Sequence, residues 1–158
     1  MTKCNEDGTY QKELVTKFDV IDFVKEDHLE IMNGWWGGYY FEEAIPEQYI
    51  PKHGCVILYK GKPVASCFLF INDTKLCHMD FCIVDPDLGA GRRVFFLQHV
   101  IDAGIAKAKK ILGEDVVIWS LTDHAVVGRS YTKKGFECLG EGDCFAYTEN
   151  KDNIEFLK

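Results

Sequence analysis

Val94, Leu97, Ile101, Ile105, Ala108 and Leu112 recur at three- and four-residue steps, with polar or small residues between them, so residues 91 to 112 read as one long amphipathic helix. Gly113 stops it. Lys107, Lys109 and Lys110 fall in its last turns, where cations complement the carbonyl end of a helix. Three strand-like runs precede it, residues 55 to 60, 62 to 72 and 75 to 84. Gly61 and the Asn72-Asp73 pair supply the turns of an antiparallel meander. Residues 116 to 120 form a buried strand after the helix, and a right-handed crossover places it parallel to the 75 to 84 strand. Asp123 caps a short helix reaching Lys134, Gly135 ends it, and residues 136 to 139 and 144 to 148 make a hairpin around the 140 to 143 turn. Near the start, residues 14 to 21 suit an opening strand and residues 24 to 33 a short helix before Gly34. Trp35-Trp36-Gly37-Gly38-Tyr39-Tyr40-Phe41 matches neither period, so it reads as a mobile or re-entrant loop carrying large apolar area.

Composition adds bounds. The chain has 158 residues, of which 47% are hydrophobic and 13% aromatic, which suits a single domain over residues 1–158 with a packed core. No apolar run approaches membrane-spanning length, and the first eight residues are polar and acidic, so a cytoplasmic protein with no membrane partner is expected. Seven cysteines without a CxxC pair suit reduced core thiols. Cys77-His78-Met79-Asp80-Phe81-Cys82 has metal-ligand residue types without the paired spacing of a zinc site, and no metal is expected. The net charge of −7 is concentrated early: residues 1 to 50 hold 11 acids and 4 bases, the remainder 14 of each. Such a surface repels phosphate backbones, so nucleic acid is not expected as a partner.

The candidate chemistry begins where the third strand meets the long helix. Val84-Asp85-Pro86-Asp87-Leu88-Gly89-Ala90-Gly91-Arg92-Arg93 is a glycine-rich turn that lets a ligand approach the backbone, beside N–H groups that a helix leaves unpaired in its first turn. Arg92 and Arg93 oppose the helix dipole there and make most sense beside an anion such as a phosphate. In the preceding strand, alternation puts His78, Asp80 and Cys82 on one face, opposite Cys77, Met79, Phe81 and Ile83. His78 is the candidate base, with Asp80 in reserve. A shared face would also allow a Cys82–His78 nucleophile pair, although no local signature of such enzymes accompanies it. His28, His53 and His99 belong to no recognisable constellation.

Val84-Asp85-Pro86, then Gly89-Ala90-Gly91, then Tyr131-Thr132-Lys133-Lys134-Gly135-Phe136 follow one another in an order and spacing that resembles the GNAT superfamily of N-acetyltransferases, over roughly residues 55 to 147. The resemblance implies an α/β (α+β) fold: a mixed, mostly antiparallel, twisted sheet of six or seven strands flanked by helices, with acetyl-CoA in the gap between two splayed parallel strands. It implies that Gly89, Ala90, Gly91, Arg92 and Arg93 bind the pyrophosphate, and that backbone groups at Cys82, Ile83 and Val84 hold the pantetheine. Tyr131 becomes the proton donor for the departing thiolate. His124 stands at the family's Asn position and joins the cofactor-binding set.

The function expected is acetyl transfer from acetyl-CoA, as co-substrate, to a primary amine of a small molecule or protein. The acidic first third and the Trp/Tyr segment suit a cationic acceptor. A homodimer is compatible with the chain. The alternative is a catalytically inactive GNAT-fold interaction or structural module, favoured by the shortened turn before Gly89, by Arg93 at a small-residue position and by His124 in place of Asn.

Overall fold

The computed structural model describes residues 17–39, 44–140 and 143–155. The elements are β1 (Asp19–Asp22), α1 (Lys25–Tyr39), a 3-10 turn (Glu47–Tyr49), β2 (His53–Tyr59), β3 (Lys62–Phe70), β4 (Leu76–Val84), α2 (Ala90–Leu112), β5 (Val117–Leu121), α3 (Ala125–Lys133), β6 (Glu137–Leu139), β7 (Cys144–Tyr147) and α4 (Asp152–Glu155). The strands form one sheet in the order β1-β2-β3-β4-β5-β7-β6. Every pairing is antiparallel except that between β4 and β5. This is the mixed, mostly antiparallel sheet expected, with seven strands.

Two apolar layers cover its faces. The apolar stripe of α2 buries Phe96, Leu97, Val100, Ile101, Ile105 and Ala108, and packs on Cys55, Ile57, Ala65, Cys67, Leu69 and Met79 of the central strands. Helix α3 joins this layer through Tyr131, beside Phe136 and Phe145. On the opposite face α1 lays Met32 and Trp35 against Val56, Phe68 and Ile83. The central strands are therefore buried on both sides, which explains their long apolar runs.

The strands of the meander and the parallel crossover agree with the sequence reading to within a few residues at their ends. Gly135 has a φ of 90°, as a left-handed helix stop requires. Three expectations need correction. The opening strand occupies only Asp19–Asp22; Lys17 and Phe18 precede it without strand pairing, and residues 14 to 16 lie outside the described residues. The first helix does not end at Asn33 but continues to Tyr39, so Trp35 to Tyr39 are helical rather than a loop, while Tyr40 and Phe41 lie outside the described residues. Glycine in a helix costs about 1 kcal/mol each, but His28, Met32 and Trp35 fall on one buried stripe, and their packing outweighs the weak local propensity. Asp123, finally, is not the cap of α3: His124 holds that position, its N–H accepted by the Thr122 hydroxyl at 3.1 Å.

Candidate functional site

The site is built where β4 and β5 separate. Their parallel ladder runs only from Leu76↔Val117 to His78↔Trp119. Beyond it β4 continues to Val84 and β5 ends at Leu121, and the opening between them passes through the sheet. Two adjoining lobes of about 320 Å³ each lie at this opening and share Cys82, His124 and Val127 in their linings.

A β-bulge in β4 decides what faces each lobe. Ala65 and Ser66 of β3 pair with Val84 and Ile83, but Phe68 pairs with Asp80, so Cys67 stands opposite both Phe81 and Cys82. Phe81 takes up the extra residue at a φ of 50°, a conformation costly for a bulky side chain, of the kind that collects at functional sites. Its displaced N–H donates to Asp80 Oδ1 at 2.7 Å, so the backbone group stays satisfied. The bulge breaks the strict alternation expected. His78, Asp80 and Phe81 face the α1 side, whereas Cys82 turns to the α2 side. The single face proposed for His78, Asp80 and Cys82 does not exist, and with it goes the Cys82–His78 nucleophile pair.

The lobe on the α2 side is lined by Ile83 and Val84 of β4, Val94 and Leu97 of α2, and Val126 and Val127 of α3. It is a largely apolar slot. Ala90 and Arg93 close one end, at the start of α2. Gly89 immediately precedes this helix, and a Cβ built on Gly89 or Gly91 would meet nothing within 4 Å. Neither glycine has a positive φ or a crowded neighbour, so no contact inside the chain requires it. Open space over an uncapped helix start beside Arg93 fits a pyrophosphate. Arg92 points elsewhere, with its guanidinium 5.7 Å from the centre of the Tyr59 ring. His124, at the cap of α3, lines both lobes.

Tyr131 stands at the second lobe, only 1% exposed. Ser120 Oγ donates to its hydroxyl oxygen at 2.8 Å, and Cys82 Sγ lies 3.3 Å from the same oxygen. Burial, reinforced by the Cys82 thiol, pushes the phenol well above its ordinary range, so it stays protonated at neutral pH. Trp36 and Phe81, whose rings meet edge-on at 5.2 Å, line this lobe with Asp80 and Asp123.

His78 is not among its lining residues. The imidazole is stacked between Trp119, at 4.1 Å, and Phe70, at 5.3 Å. Its buried Nε2 makes no hydrogen bond and lies 3.7 Å from Asp80 Oδ2. Burial lowers its pKa, against the opposing pull of Asp80, and keeps it neutral. The structure thus brings Asp80, Cys82, His124 and Tyr131 together, and sets His78 behind Asp80. Sequence reasoning missed Ser120, whose signal was a lone hydroxyl on the inward face of an apolar strand; Trp36 belongs to the Trp/Tyr segment expected at the acceptor, but reaches the lobe from a helix rather than from a loop.

No group of three potential metal ligands occurs among the described residues, and no described helix is long and apolar enough to cross a membrane. No protein-family profile matches the sequence, and no curated protein does. Solved structures do. Over 84% of this chain and 34% of the other, the fold is similar to N-acetylglutamate synthase from Neisseria gonorrhoeae complexed with coenzyme A and L-arginine, at a TM-score of 0.65 and 10% identity. This chain therefore spans about a third of that protein's length. A probable acetyltransferase from Staphylococcus epidermidis matches over 85% of this chain and 100% of its own, at a TM-score of 0.63 and 15% identity. A GNAT family N-acetyltransferase from Escherichia coli in complex with CoA matches over 87% and 84%, at 0.64 and 13%.

Proposed function

From the fold that this chain shares with GNAT acetyltransferases, we propose that it is an acetyl-CoA-dependent N-acetyltransferase acting on a primary amine. The observation that carries the reading is the opening between the strands, with an open helix start and Arg93 at one end, a carboxylate at the other and the Tyr131 phenol in the second lobe, beside the Cys82 that lines both. Acetyl-CoA supplies a thioester whose carbonyl carbon an amine can attack. Asp80 receives the proton of the incoming ammonium and passes it to solvent, and the neutral amine nitrogen then forms its bond to the acetyl carbon, losing its second proton to Asp80 as the C–S bond breaks. Tyr131 gives its proton to the departing sulfur and regains one from solvent. Ser120, by donating to the phenol oxygen, leaves the Tyr131 hydrogen free to point at the Cys82 side, where the two lobes join. The apolar slot gives the thioester a largely apolar surround.

One observation favours a second reading, an inactive GNAT-fold module. The Tyr131 hydroxyl is satisfied by Ser120 and Cys82 without any ligand, as a purely structural tyrosine would be. An assay of thiol release from acetyl-CoA in the presence of primary amines separates the two. The transferase reading expects amine-dependent release that falls roughly ten- to a thousand-fold in Tyr131→Phe while acetyl-CoA still binds. Release no faster than spontaneous hydrolysis, with every amine tried, establishes the inactive module.

A further inference from the structure

The two lobes carry opposite charges. The α2-side lobe has Arg93 at its end, suited to an anion. Among the described residues lining the other lobe there is no lysine or arginine, and there are two carboxylates, Asp80 and Asp123. They come from opposite sides of the opening: Asp80 lies on β4, and Asp123 lies in the segment joining β5 to α3. Each lacks a strong cationic partner among the described residues. Asp80 accepts the Phe81 N–H at one oxygen and has only the neutral His78, at 3.7 Å, near the other, and Asp123 forms no ion pair among the described residues. Trp36 and Phe81 supply an aromatic and apolar wall beside them.

One carboxylate is enough to receive the proton of a reacting amine. A second on the facing wall, across an apolar surface, calls for a second positive charge separated from the first by a hydrocarbon chain. Resting on the transferase reading, we propose that the acceptor is a short linear diamine, its reacting nitrogen at Asp80 and its distal ammonium at Asp123. Asp80 sits at the reacting end because it is two residues from Cys82, which lines both lobes and contacts Tyr131. Asp123, exposed, holds the distal cation at the rim.

The test compares cadaverine with n-pentylamine, which has the same chain and lacks the second nitrogen. Calorimetry on the CoA-saturated protein measures binding without turnover, and acetylation rates give kcat/KM. The wild type should prefer the diamine by roughly fivefold or more in both, as expected for one partly solvated charge pair. In Asp123→Asn the preference should shrink towards unity, and salt should erode it in the wild type alone. Equal treatment of the two amines by the wild type, or a preference that survives Asp123→Asn, overturns the proposal. Diamine-selective binding lost in Asp123→Asn, but without acetylation of any amine, upholds the diamine site while removing the transferase reading.

Discussion

Phe81 shows how much one residue can redirect. Held at a φ of 50°, it inserts an extra position into β4, and every side chain beyond it changes face relative to simple alternation. Cys82 thereby meets Tyr131, and Asp80 keeps its place in the α1-side lobe. The roles of the two titratable residues on this strand follow from that geometry. His78 is clamped between two rings outside the lining of the second lobe, so on the proposed reading Asp80, and not His78, meets the amine. Asp80→Asn should therefore lower kcat by roughly ten- to a thousand-fold, whereas His78→Gln should lower it only a few-fold. Because burial holds His78 below the ordinary 6.5, an ionisation seen in the rate at or above that value belongs to another group. It should persist in His78→Gln. Loss of that limb in His78→Gln, with Asp80→Asn near wild-type rates, would return the role of base to the histidine.

At the scale of elements, what was legible in the sequence is what periodicity encodes. The stripe of α2, the meander of β2 to β4, the crossover to β5 and the glycine-rich turn before α2 all follow from spacing and turn chemistry. Two features resisted for physical reasons. Helix α1 runs through Gly34, Gly37 and Gly38 because burial of Met32 and Trp35 outweighs poor propensity, and the 28, 32, 35 stripe was its only trace. The bulge in β4 has no such trace: an extra residue in one strand is defined only against its partner, and here the partner is Cys67 of β3. Of the candidate site, the glycine turn, Arg93 and Asp80 could be picked out by type and position, and His124 and Tyr131 through the resemblance to the GNAT motifs. Ser120 and Asp123 acquire their meaning only when the gap between β4 and β5 brings them to it.

For the whole molecule, acid sensitivity follows from the same burial that shapes the site. His53, His78 and His99 all have pKa values lowered mainly by burial. The unfolded chain takes up protons on these residues near the ordinary 6.5, and the folded chain does so only at lower pH. Stability is thus fully present above that value and declines as pH falls below it. Melting temperature should drop between about pH 7 and pH 5, and His78→Gln should flatten part of the drop; a pH-independent melt in that interval would contradict these burial-driven shifts. The central claim, that the opening through the sheet receives acetyl-CoA on the α2 start, is tested most directly by calorimetric titration of the protein with acetyl-CoA. The account predicts saturable binding to one site and a raised melting temperature, both abolished in Gly91→Val, whose Cβ would enter open space at the helix start. Absence of heat and of stabilisation in the wild type at roughly millimolar acetyl-CoA would contradict it.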